Sequence, residues 1–69
     1  MKIEKIKERI AKIETCKSDD EMAHCYEDDL FYDFVNAIKN GKYETKEEIV
    51  KAAKEVYKVR KISFARWHA

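Results

Sequence analysis

The sequence predicts an all-α fold: one helical domain over residues 1–69, with three helices near 1–16, 19–40 and 46–60 and an extended C-terminal tail packed on them. Three observations carry that expectation. The chain of 69 residues has one glycine and no proline, too few of the residues that the tight turns of a small β-sheet protein require. Isoleucines recur at positions 3, 6, 10 and 13, the spacing of a helix seam and not of a strand. Two segments, Ser18-Asp19-Asp20-Glu21 and Thr45-Lys46-Glu47-Glu48, have the form of capping boxes that open helices. A chain of this length makes one small domain. Surface scaling gives burial of about 60% of the unfolded chain's surface, enough for independent folding. Deep cavities are not expected, so a site should lie on the surface or in a shallow groove.

In the first helix, Lys, Glu and Arg fill the faces around the isoleucine seam. So narrow a stripe packs one edge, either against its own chain or against a second copy as a homodimer through helix 1. The intramolecular choice is favoured, because a domain this small needs the burial.

The second helix opens at the first capping box, with Ser18 accepting from the amide of Glu21 and Glu21 reaching back. Asp19 and Asp20 favour the positive end of the helix dipole. Asn40-Gly41 supplies a left-handed stop. Wound at about 100° per residue, Met22, Tyr26, Ala37, Leu30, Ala23, Phe34, Ile38 and Phe31 fall on one arc, with Val35 at its far edge. Glu27 falls inside this arc. A carboxylate on an apolar face is costly to bury unless it is paired.

The third helix opens at Thr45, with Ile49, Val50, Ala53, Val56 and Tyr57 as its expected apolar face, and should end near Arg60. The tail Ile62-Ser63-Phe64-Ala65-Arg66-Trp67 then alternates apolar and polar residues, the pattern of an extended strap. Arg66 is the obvious partner for Glu27, since a guanidinium can bind a carboxylate through parallel hydrogen bonds. The Trp67 indole is another donor. His24 lies three residues before Glu27, and Asp28 lies one turn from His24. The candidate site is therefore His24, Glu27, Asp28, Arg66 and Trp67. It is either an ion pair that fixes the tail or a pocket built from the same residues; the remaining alternative leaves Glu27 at the domain edge in solvent.

Charge is segregated along the chain. Residues 1–17 carry six positive and three negative charges, residues 18–35 carry none and seven, and residues 36–69 carry nine and four. The total of +1 thus conceals an acidic second helix between basic flanks. Either the helices neutralise one another in the folded chain, or the acidic face is held out for a basic partner. Cys16 and Cys25 are too few for a disulfide framework and are expected as free thiols. No apolar run is long enough to span a membrane, and the charged start does not read as a signal peptide.

The segments Ala23-His24, Glu27-Asp28-Asp29-Leu30 and Asp33-Phe34, followed by Ile62-Ser63-Phe64-Ala65-Arg66-Trp67-His68-Ala69, resemble a group of short bacteriophage-encoded proteins. These share an AH…ED-x-L helix and a terminal I-x-F-x-R-W-x-A motif. The resemblance covers helix 2, the end of helix 3 and the tail; helix 1 matches only as a charged helix. It implies phage origin and a place in the cytoplasm of a host bacterial cell, and it falls on the same His24, Glu27, Asp28, Arg66 and Trp67. It brings no assigned activity.

The expected function is that of an interaction protein that binds and modulates a host or phage factor, as an inhibitor or counter-defence protein does. The alternative is a nucleotide- or nucleic-acid-binding protein using Arg66, Trp67 and the basic helix 3, where Lys51, Lys54, Lys58, Arg60 and Lys61 stand. Seven acids in helix 2 oppose nucleic acid as the partner. No enzyme is expected, because there is no phosphate-binding glycine loop and no Ser/His/Asp set. No cofactor or metal is expected either: Cys16, His24, Cys25 and His68 fit no usual zinc spacing.

Overall fold

The computed structural model describes residues 1–66. Helix α1 runs Ile3–Thr15, α2 runs Asp20–Lys39 and α3 runs Lys46–Tyr57, continued by a 3-10 turn at Lys58–Lys61. Among the described residues there is no strand. No described helix is long and apolar enough to cross a membrane. The molecule is 14 Å across its shortest axis, which matches two helix cylinders in contact at the usual separation of about 8–10 Å.

Helix α1 packs against both α2 and α3, and these touch each other. Its isoleucine seam lies inside the single chain: Ile6 and Ile13 are wholly buried, while Ile3 and Ile10 pack half-buried at the margin of the core. Around them lie Ala23 and Leu30 of α2, Ala52 and Val56 of α3, and Val59 and Ile62 beyond it. Within the single chain the seam is thus packed in the way favoured from burial.

The helix ends differ in detail from the sequence expectation. The N-cap of α2 is Asp19, whose carboxylate accepts from the Met22 amide at 3.1 Å, and not Ser18. The backbone turns one residue later, with the Asp19 amide donating to the Cys16 carbonyl. A charged acceptor at the cap also interacts more strongly with the helix dipole than a hydroxyl does. Met22 then stands where a reciprocating acid would be, so the box is not closed. At α3, Thr45 caps as expected, accepting from the Glu48 amide, but Glu48 accepts from the Glu44 amide, one residue before the cap.

The stop at the end of α2 is a Schellman motif. Lys42 N–H donates to the Ala37 carbonyl and Gly41 N–H to that of Ile38, with Gly41 at φ +68°. A Cβ there would meet nothing within 4 Å, so substitution brings backbone strain alone. Gly41→Ala is expected to cost about 1 kcal/mol, roughly 4–8 °C in a thermal melt, and Gly41→Asn less.

The apolar faces are also narrower than the helical wheels drew them. In α3 the buried row is Ala52 and Val56 with Ile49 beside it, continued by Val59 in the 3-10 turn, while Val50 is 42% and Tyr57 70% exposed. In α2, Met22, Val35 and Ile38 are exposed. An arc of about 180° cannot all face two neighbours, and its edges turn to solvent.

Candidate functional site

Glu27 is brought into the core by its position between Ala23 and Leu30, the two buried apolar residues of α2. It is the buried charged residue of the described chain, 3% exposed. The sequence provides its counterion 39 positions later. Arg66 Nε donates to both Glu27 carboxylate oxygens, at 3.0 and 3.3 Å.

The remaining contacts of Arg66 explain why the tail lies there. Helix α3 and its 3-10 turn end without a glycine, so their last carbonyls need donors. Arg66 Nη2 donates to the Val59 carbonyl at 3.1 Å and to that of Ile62 at 3.0 Å. Nη1 donates to the Phe64 carbonyl at 3.3 Å. The guanidinium also stacks over the Phe64 ring, 4.0 Å from its centroid. Of its five N–H bonds, four are thus directed at acceptors of its own chain. The Ala65 amide donates to Asp20 at 3.1 Å, which ties the strap to the start of α2. The alternation expected of the tail is present: Ile62 is buried, Phe64 and Arg66 half-buried, Ser63 and Ala65 exposed.

The structure therefore brings Glu27 and Arg66 together. It leaves His24 and Asp28 on the neighbouring face, His24 Nε2 lying 3.5 Å from Asp28 Oδ1, with these side chains 30% and 56% exposed. This contact is an ion pair only when the imidazole is protonated. Trp67, the fifth expected member, lies outside the described residues. Two participants were not anticipated. Arg60 places Nη1 3.8 Å from Glu27, and Asp20 holds the strap backbone. Arg60 had a signal in the sequence, since a buried carboxylate has room for more than one donor. The carbonyls of Val59 and Ile62 had none beyond the missing helix stop.

Other charges meet in part. Arg9 of α1 reaches Asp33 of α2 at 2.6 Å, and the Lys12 ammonium sits 4.8 Å from the centre of the Tyr26 ring. The Lys58 ammonium, 2.8 Å from Glu55, donates to that carboxyl and holds it below the usual carboxylate range, with a smaller contribution from Lys7. Cys16 and Cys25 are free thiols. Among the described residues, no three of His, Cys, Asp and Glu are grouped so as to hold a metal ion.

Three large apolar side chains of α2 stand well exposed. Tyr32 is 76%, Val35 60% and Met22 45% exposed. Asp28, Phe31, Tyr32 and Val35 line one shallow groove; Asp19, Glu21, Met22, Cys25 and Tyr26 line another. Of the acids on this helix, Asp20, Glu21 and Asp29 enter no ion pair among the described residues, and Asp20 accepts from the Ala65 amide.

No protein-family model matches the chain, and neither curated proteins nor solved structures yield a match.

Proposed function

We propose that the chain is a small phage-encoded interaction protein that modulates a host or phage protein by docking the outward face of α2 onto a basic, amphipathic segment of it. One observation carries the reading: Tyr32 and Val35 stand exposed on α2 and line one groove with Asp28, on a helix whose Glu21 and Asp29 are exposed and enter no ion pair among the described residues. Exposed apolar side chains rimmed by one sign of charge suit a partner of the opposite sign that also buries apolar surface. The Arg66–Glu27 cluster is not that face, because its donors are directed inward at the tail and the end of α3.

The test is affinity capture from a bacterial lysate by the tagged protein, beside a Tyr32→Asp, Val35→Asp variant. Both side chains are exposed, so the variant is expected to melt within about 0.5 kcal/mol of the parent at each site. The expected result is a single host protein held by the parent and lost from the variant. Retention of that protein by the variant would remove α2 as the contact. Co-purified nucleic acid or nucleotide, in place of a protein, would favour the alternative use of the basic surface.

A further inference from the structure

Seven of the fifteen Lys and Arg side chains make a close ion pair or ring contact within the described chain. Lys5, Arg9, Lys17, Lys58, Arg60 and Arg66 pair with carboxylates, and Lys12 lies on the Tyr26 ring. Of the eight others, Lys2, Lys7, Lys42 and Lys51 line a single groove. It lies between the start of α1, the α2–α3 connection and the first turns of α3, and is an open groove of about 590 Å³, within the size range of small-molecule sites.

The groove is held in shape by contacts between distant parts of the chain. The Tyr43 hydroxyl donates to the Met1 carbonyl at 2.9 Å, and the Tyr43 ring packs edge-on against Phe34, with centroids 6.1 Å apart. Burial, and then Glu48, push the Tyr43 hydroxyl above its ordinary pKa, so it remains a donor. Its lining includes the apolar Met1, Ile3 and Ala52. Two acids, Glu4 and Glu48, also line it, and Glu48 is turned toward the Glu44 amide. Four lysines against two carboxylates leave the lining net positive; Lys7 also acts on Glu55, and Lys2, Lys42 and Lys51 enter no ion pair among the described residues.

We propose that this groove binds a small phosphorylated ligand of mononucleotide size, with the four lysines on the phosphate and the apolar lining, Tyr43 included, against the ligand body. The site is separate from the partner face on α2 and does not depend on it. Lysines grouped around a concavity suit a compact anion as charge-assisted donors. The two carboxylates suit a ligand whose other end offers hydroxyl or amino donors, and they oppose a long polyanion.

The experiment is an NMR titration of the ¹⁵N-labelled chain with AMP, and with adenosine as the uncharged control. Saturable shifts are expected at residues 2–7, 42–43 and 48–52, with a Kd of about 1 mM or tighter, and none with adenosine. Lys42→Glu, Lys51→Glu should weaken AMP at least about tenfold without changing the fold, because both side chains are exposed. Lys61→Glu alters an exposed lysine outside the groove and should leave the Kd within about twofold. The proposal is overturned by three results: no saturation by AMP, equal binding of adenosine, or an equal loss with Lys61→Glu. Tighter binding of a short single-stranded oligothymidylate, with shifts extending over Lys46, Lys54 and Lys58, would overturn it in favour of a nucleic-acid surface.

Discussion

Arg66→Ala is expected to destabilise the domain by about 3–5 kcal/mol, because it leaves a carboxylate buried without its main partner. Glu27 keeps only Arg60, which is 3.8 Å away and half-exposed, and such a contact returns no more than about 1 kcal/mol. The same substitution removes the Arg66 donor from the Ile62 carbonyl and one of two donors from the Val59 carbonyl, which keeps the Ile62 amide. A chain of this size has a total stability of only about 3–10 kcal/mol, so a substantial unfolded fraction is expected at 37 °C. Glu27→Gln should cost less, since the amide oxygen still accepts from Arg66, and the charge left without a counterion is that of Arg66, which is partly exposed and keeps three carbonyl acceptors. Thermal melts of Arg66→Ala, Glu27→Gln and the double variant give the coupling. A coupling of about 1 kcal/mol or more is expected; strictly additive losses would mean that the pair contributes nothing as a pair. If both single variants remain fully folded and lose partner binding, the cluster is a recognition site and the outward face of α2 is not the whole of it.

That pair was legible in the sequence for a definite reason. The helical period places Glu27 among apolar residues, and a terminal Arg in an alternating strap has little reason to be there except as its donor. The Schellman stop at Gly41 was legible on the same footing, from the one residue that takes φ +68° without cost. What the sequence left open was the width of each buried face. Tyr57 and Val50 share the apolar arc of α3, yet Ala52 lies inward in their place, because the row Ile49, Ala52 and Val56 has the same helical spacing as the row Val50, Ala53 and Tyr57 and periodicity alone does not choose between them. The capping residue of α2 was missed by one position for a related reason. Ser18 and Asp19 both satisfy the local pattern, and the Asp19 amide's bond to the Cys16 carbonyl, part of the turn leaving α1, decides between them. The groove of four lysines had no sequence signal at all. Positions 2, 7, 42 and 51 meet only when the ends of three segments are folded together.

Ile6→Asp combined with Ile10→Asp is expected to abolish folding. Ile6 is wholly buried in the core to which all three helices contribute, and an unpaired carboxylate there costs several kcal/mol, to which the lost packing of an isoleucine adds about 2–5 kcal/mol. Either contribution approaches the whole stability of about 3–10 kcal/mol. Circular dichroism should therefore show loss of helix, and size-exclusion chromatography an expanded chain. A seam shared between two copies would behave differently: the variant would run as a folded, helical monomer with half the mass of the parent. That outcome would mean that α1 leaves its own core and pairs with a second α1. Ile13→Val gives a graded control at the other wholly buried position of the seam. It should lower the melt by about 0.5–1.5 kcal/mol, with no dependence on protein concentration, because the contacts it trims belong to one chain.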